Sequence, residues 1–285
     1  MQYRTFLTRT TVVIAVATLT LAACKKKDNN NNTTTTLTNA DDNGGYASDA
    51  AKLESANNDV IGITDIAANY GAGNLRTTSG YPVITNDTSV SPHILTVDYG
   101  PTDHLCIDGR NRKGQIIVSY LGKYKDSSST HTITYNGYYV NDIQRKGSKT
   151  VTNNGTNSSG QVWYTVTVND SLILATDSVI CWTGNRTRTW IAGYNTANWL
   201  DDVYDIGGTT TLKRANGHVF TCSISASAPL KIAVICDNIE SGIVTVSSTS
   251  FTGGDRTIDY SYGTGGCDDL AQLTIGSHTY VITLH

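Results

Sequence analysis

From His93 to the end of the chain, apolar and polar side chains alternate with a period of two, in short runs separated by turn residues. That period puts successive side chains on opposite faces of a strand. It predicts strands at Ile94–Tyr99, Gln115–Tyr124, His131–Asn141, Ser148–Asn153, Gln161–Val168, Val179–Thr183, Thr187–Ala192, Val203–Lys213, His218–Ser223, Leu230–Cys236, Gly242–Ser247, Arg256–Tyr260, Ala271–Ile275 and His278–Leu284. Parallel neighbours need long, usually helical crossovers, and the spacers here have no helical pattern. Consecutive antiparallel hairpins remain. The expected fold is all-β, an antiparallel sandwich or a curved open barrel over residues 93–285. Asn154-Gly155 and Asn216-Gly217 read as turn dipeptides, since both residue types tolerate a positive φ.

Upstream, one segment follows a different period. Between Ser48 and about Tyr70, the residues Leu53, Ala56, Val60, Ile63 and Ala67 recur at spacings of three and four. This predicts one N-terminal amphipathic helix with a single apolar stripe turned toward the β domain. Ser48 is placed to cap its start and Gly71 to end it, while Gly62 weakens it by about 1 kcal/mol. Residues 46–92 are thus expected to be the helix and a connecting segment.

The beginning of the chain reads as an address. Arg4 and Arg9 are the only charged residues before Cys24, and an apolar run extends from Thr11 to Ala23. As a helix that run spans roughly 20 Å, short of a bilayer's ~30 Å hydrocarbon core, so a membrane-crossing anchor is disfavoured. A charged start, a short apolar stretch and small residues before a cleavage point have the form of an export signal. Leu21-Ala22-Ala23-Cys24 resembles the lipobox of bacterial lipoprotein precursors, whose cysteine thiol receives a diacylglycerol. Residues 1–23 are therefore expected to be a lipoprotein signal peptide. Cys24 is expected to be the lipidated amino terminus, carrying palmitate-type chains into the bilayer, where two chains hold stably and one holds marginally. Residues 24–45 are expected to be a disordered tether: after Cys24 their one large apolar residue is Leu37, too little to offset the entropy of ordering. As a random coil the tether spans roughly 25 Å. Lys25–Lys27 would then lie at the headgroups, each contributing up to about 1 kcal/mol at an anionic surface.

Composition narrows the partners. The net charge is −3, the leader would take two arginines with it, and no basic stripe follows Lys27, so nucleic acid is not an expected partner. Glutamate occurs at Glu54 and Glu240 alone, whereas Thr, Ser, Asn, Gly and Tyr abound, a bias toward strands and turns. With Cys24 lipidated, Cys106, Cys181, Cys222, Cys236 and Cys267 remain, and an odd count leaves at least one thiol free. Cys222 alternates with Phe220 and Ile224 and reads as a small buried hydrophobe. The candidate bridge is Cys236–Cys267. No C-x-x-C and no His-Cys cluster has zinc spacing, so neither a metal nor another cofactor is expected.

Catalytic motifs are wanting. The sequence has no G-x-S-x-G elbow and no H-E-x-x-H helix, and Gly147-Ser148-Lys149-Thr150 lacks the glycine and lysine placement of a phosphate loop. Asp201, Asp202 and Asp205 offer hard oxygens for calcium without the glycine-turned loop of a dedicated site, and a solvated turn is the plainer reading. A repeated form, T-[VI]-D-Y-x6-C-x-D, occurs at Thr96–Asp108 and again at Thr257–Asp269, and would suit two equivalent hairpins near the ends of the β domain. The most suggestive constellation is Trp182, Arg186, Arg188, Trp190, Tyr194 and Trp199, with Tyr204 close behind. The chain has 16 Tyr and 4 Trp against 3 Phe, so most rings carry a polar handle. Exposed, these rings would stack on sugar faces. Paired across strands, they would stabilise the sheet by about 0.2–1 kcal/mol each, the plainer reading.

Three stretches resemble uncharacterised outer-membrane lipoproteins of the Bacteroidota: Asn185–Thr196 (NRTRTWIAGYNT), Asp201–Gly208 (DDVYDIGG) and the terminal RTIDYSYGTGGCDD. The resemblance runs over most of Ile94–Leu284. It implies an outer-membrane lipoprotein and lends no catalytic residues. In that phylum acidic residues directly after the lipidated cysteine mark export to the cell surface. Here Lys25–Lys27 stand there, with acid first at Asp28, so the periplasmic and surface faces both stay open. The expected role is a membrane-anchored envelope protein, a non-enzymatic binding or structural module, whose partners are the bilayer through acylated Cys24 and a glycan or envelope protein. The alternatives are a polysaccharide-processing enzyme using Asp carboxylates and a periplasmic-type lipid carrier. Cys24→Ser should abolish acyl labelling and release the chain from membranes or leave the precursor uncleaved. Unchanged labelling and fractionation would refute the anchor.

Overall fold

A computed structural model describes residues 42–70, 81–106, 108–174, 178–236, 238–263 and 267–284. The expected signal peptide, Cys24, most of the tether and Gly71 lie outside the described residues. Helix α1 (Asp42–Tyr70) is followed by strands β1 (Val83–Asp87), β2 (His93–Asp98), β3 (His104–Leu105), β4 (Asn111–Leu121) and β5 (Thr130–Val140). Then come β6 (Ile143–Thr156), β7 (Val162–Ile173), β8 (Val179–Ala192), a short 3₁₀ turn (Trp199–Asp201), β9 (Val203–Arg214) and β10 (Val219–Ile224). The last are β11 (Leu230–Ala233), β12 (Ile243–Ser247), β13 (Arg256–Asp259), β14 (Leu270–Ile275) and β15 (His278–Thr283).

All fifteen strands belong to one antiparallel sheet in the order β1-β2-β4-β5-β6-β7-β8-β9-β10-β12-β13-β14-β15, with β3 on β4 and β11 on β9. It is a meander of hairpins, open rather than closed into a barrel. The single sheet settles the choice between sandwich and curved open barrel for the latter, without closure. Two strands are stand-ins. β4 pairs with β2 over residues 115–120 and with β3 at 111–112, and β9 pairs with β10 over 209–213 and with β11 over 203–206. At each place a rank of the sheet is broken by a loop and resumed by a short strand.

Inward and outward residues alternate cleanly. Along β8, Ile180, Trp182, Arg186, Arg188 and Trp190 are buried, while Cys181, Thr183, Asn185 and Thr187 are exposed. An antiparallel sheet can leave one face wet, and the abundance of Thr, Ser and Asn is the composition of that outer face. Val179–Thr183 and Thr187–Ala192, expected as separate strands, are one. Gly184 lies within it at φ +141°, where a Cβ would stand 2.8 Å from the Thr209 carbonyl oxygen, so the glycine there permits close strand approach instead of a turn. Asn154-Gly155 is likewise no turn: it sits in β6 at a register shift against β7, and the chain reverses at Asn157–Gly160. Asn216-Gly217 does close the β9–β10 hairpin, with Gly217 at φ +87°.

The inner face is covered by α1, which reaches β2 and β12–β14 by packing and β4, β8 and β9 by ion pairs. The sheet therefore wraps around the helix. This corrects the expectation of an amphipathic helix with one apolar stripe. Leu53, Val60, Ile63 and Ala67 are buried as expected, but so are Tyr46, Ala47, Ala50, Ala51, Ile61 and the polar Glu54, Asn57, Thr64 and Asp65. Of residues 45–68 only Lys52 and Ala68 are exposed. Burial on all sides removes the periodic contrast that a stripe depends on. The helix also begins at Asp42, inside the segment read as tether, so Ser48 is an interior helical residue rather than a cap.

Four helix carboxylates meet strand arginines. Asp49 pairs with Arg214, Glu54 with Arg186, Asp59 with Arg110 and Arg112, and Asp65 with Arg188. Glu54 and Arg186 are each 1 % exposed at the side chain. Arg186 also donates to the carbonyl oxygens of Gly208 at 2.6 Å and Cys222 at 3.2 Å. Removing one partner of such a pair strands a charge in low dielectric, which costs about 3–5 kcal/mol, whereas replacing both by apolar residues is often neutral. Glu54→Leu should accordingly lower unfolding stability by about 3–5 kcal/mol, and Glu54→Leu with Arg186→Met should recover most of it in urea denaturation. A double variant no more stable than the single one would show that the pair holds the fold through its charge.

Candidate functional site

The aromatic and arginine constellation is mostly core. Trp182, Arg186, Arg188 and Trp190 are even-numbered residues of one strand and point together toward α1, with exposures of 1 to 3 %. Arg188 donates to Asp65 and, at 2.9 Å, to the Tyr124 hydroxyl, and its guanidinium lies 3.5 Å from the centre of the Tyr204 ring. Tyr194 and Trp199, in the β8–β9 connection, are half-buried. Tyr194 meets Trp190 edge-on at 5.0 Å, and Lys125 sits over both rings. No ring platform for a sugar is formed by Trp182 and Trp190, whose faces are taken by the protein itself.

The three clustered aspartates diverge. Asp201 accepts from the Thr196 hydroxyl at 2.8 Å, Asp205 lies opposite Lys231 across strands, and Asp202 is 3 % exposed. Asp202 is therefore a buried group and not part of a solvated turn. Burial, reinforced by the charge of Asp65, pushes its carboxyl up to about 6. Asp65 is itself raised by burial against the opposing pull of Arg188. Two carboxylates thus sense one another near the aromatic cluster, but neither lines the cavities described below, so they flank no cleft. Cys236 and Cys267 are joined by a disulfide, with Cys106, Cys181 and Cys222 free. A carboxylate oxygen of Glu240 lies within 4.8 Å of both bridged sulfurs, which the bond leaves without thiolates to offer a metal.

Open space lies elsewhere, along α1. A cavity of about 110 Å³ runs beside Ser55, Gly62 and Ile66 of the helix, between the β3–β4 corner (Tyr99, Asp108) and the segment from β11 to Ile239. A second, of about 180 Å³, lies where α1 passes the ends of β5, β6 and β7. Ser55, Asp59 and Arg110 line both. Small helix residues make these gaps: nothing comes within 4 Å of where a Gly62 Cβ would be. At the floor, Asp59 receives Arg112 at 2.6 Å and Arg110 at 3.0 Å, while Arg112 also pairs with Asp108. Burial by itself would raise the Asp59 carboxyl, but the charges of Arg112, Arg110 and Arg145 outweigh it and hold the group below its usual range.

Sequence reasoning missed Arg145. It is 5 % exposed, lines the second cavity, and its Nε has no hydrogen-bond partner. Among the described residues no carboxylate lies within 4.0 Å of its guanidinium. Lys149, four residues along β6 on the same face, is satisfied by Asp170 and by the Tyr135 hydroxyl at 2.6 Å. The even spacing of the inward residues within β8 and within β6 was available as a signal, but inward-facing cations are unexpected without knowledge of the helix acids.

No protein-family model, curated protein or solved structure matches the chain.

Two buried titratable groups set opposite pH trends. Burial between the Tyr120 and Tyr124 rings depresses His131 from 6.5 to about 4, so the fold favours the neutral ring and loses stability as pH falls from the ordinary histidine value through 4. Asp202, raised from 3.8 to about 6, favours the protonated carboxyl, and its contribution is lost as pH rises through 6. His131→Gln should flatten the acid-side loss of urea midpoint between pH 6.5 and 4, and Asp202→Asn should remove the opposing loss between 4 and 6. Parallel pH profiles for wild type and both variants would refute these assignments.

Proposed function

We propose that the chain is a lipid-anchored envelope protein whose β domain is a non-enzymatic module for binding a small ligand beside α1. The observation that carries this reading is the occupied interior. A sheet wrapped on its own helix leaves cavities of about 110 and 180 Å³, below the ~300–1,000 Å³ of sites for drug-sized ligands. A carrier of long acyl chains needs that interior empty, and a glycan platform needs the β8 rings exposed. The enzyme reading needs two carboxylates across a cleft, and Asp65 and Asp202 are buried. The anchor rests on the Leu21–Cys24 motif, and outer-membrane placement on the resemblance to Bacteroidota lipoproteins.

Thermal unfolding of the full chain against a panel of small anionic, neutral and cationic solutes tests the binding reading. At about 100 times its Kd a ligand stabilises the fold by about 2.7 kcal/mol, an increase of several degrees in Tm. For a ligand that fills the cavity, the increase should shrink when its space is reduced by Gly62→Leu or Ala56→Leu. A panel without any stabilising solute would leave the module without a ligand and overturn the reading.

A further inference from the structure

We infer that the second cavity is an anion site whose ligand is a small carboxylate with a short aliphatic body, held by Arg145. This rests on the reading of the β domain as a binding module and names its ligand class. Charge is the first ground. Around the cavity Asp59 and Asp108 are already met by Arg110 and Arg112, and Asp170 by Lys149. Arg145 is left over. It lines the cavity at 5 % exposure, and its buried Nε has no hydrogen-bond partner. Lys52, exposed on α1 at the same cavity, adds a second positive charge at the rim. A buried cation with no carboxylate in contact, and only the more distant, already paired Asp59 to offset it, is costly, and an anion in the cavity relieves that cost.

The second ground is the shape and polarity of the walls. Val140, Ile143, Leu172 and Leu284 line the cavity beside the cations, and Ala56 is the small helix residue on it. A phosphate or sulfate needs polar partners on every side, and beyond Ser55 and Asn141 the uncharged walls supply only hydrocarbon. A carboxylate presents two oxygens to the planar fork of a guanidinium and turns the remainder of the molecule toward hydrocarbon. A volume of about 180 Å³ limits that remainder to a short chain.

Isothermal titration calorimetry of the full chain carrying Cys24→Ser, with acetate, butyrate, hexanoate, hexanamide and inorganic phosphate, tests the assignment. Hexanoate or butyrate should bind with a Kd of about 1 mM or tighter, above acetate, with hexanamide and phosphate weaker by about tenfold or more. Arg145→Gln should weaken carboxylate binding by about tenfold or more. Without ligand, that variant should be no less stable in urea than the wild type, since it removes a charge without a partner. Ala56→Leu should shift the preference to shorter chains while acetate binding is kept. Equal binding of hexanoate and hexanamide, preference for phosphate, or an Arg145→Gln variant that is destabilised and binds unchanged would each overturn the proposal. Should another class of solute raise Tm through the same cavities while carboxylates do not bind, the ligand assignment fails and the binding module stands. Should nothing bind, both fail.

Discussion

A long single sheet that hides one face must find something to hide it against, and here the answer is a helix joined to it by buried charge. Glu54 and Asp65 are eleven residues apart, three turns at about 3.6 residues per turn, and so project from the same side of α1. Both are met by β8, through Arg186 and Arg188. Asp49 and Asp59 leave the helix in other directions, toward Arg214 at the end of β9 and toward Arg112 of β4. Acids that radiate around a helix find cations on every side only if one sheet bends around it. Each set of charges is untenable without the other, so the inserted helix and the curved sheet define one state together. Apolar packing buries Leu53, Val60 and Ile61 almost completely, but it is non-directional. The ion pairs fix rotation and register.

That division explains what was legible beforehand. The hairpin meander was, because period-two alternation survives wherever one face is wet. Val83–Asp87 was not: as an edge strand it buries almost nothing, and the pattern has no contrast there. The helix was found but read as facing the core with one stripe, since Ala, Ser and Gly fill positions that a surface helix gives to charged residues. Its acids looked like a polar face and are instead buried partners. For the same reason the Trp and Arg residues of β8 looked like a ligand platform. Alternation alone places Arg186 and Arg188 on the same face as Trp182 and Trp190, but accepting arginines as core residues requires their counter-charges, which lie more than a hundred residues away in the chain.

The repeated T-[VI]-D-Y form has a structural basis that the sequence could only suggest. Val97 and Ile258 are fully buried, and Tyr99 and Tyr260 are each 2 % exposed. Asp98 accepts from the Gly100 amide at 2.7 Å, and Asp259 accepts from the Ser261 amide at 2.8 Å. Both tyrosines donate their own amides, at 2.9 Å, to the carbonyl of a positive-φ glycine, Gly114 or Gly242. The two copies therefore end their strands in the same way. They do not bring about closure, and the equivalence stops at the cysteines, since Cys106 is free and Cys267 is bridged to Cys236.

The breaks in the sheet and the small residues of the helix together decide where space is left. The first copy's strand ends where β2 gives way to β3, and the cavity lined by Tyr99 and Asp108 lies at that interruption. Its far wall comes from β11 and the segment after it, the other resumed rank. Among the helix residues on these cavities are the small Ser55 at both, Gly62 at the first and Ala56 at the second, where larger residues would have filled space. Elsewhere α1 carries side chains that reach the sheet, among them Glu54 and Asp65 at β8. On the proposed binding reading, an interior with paired charges and gaps beside Ser55, Ala56 and Gly62 would suit a ligand that is small and polar at one end. The same arrangement places Arg145, an inward guanidinium with no described carboxylate within 4.0 Å, at the gap of about 180 Å³, where charge and space coincide.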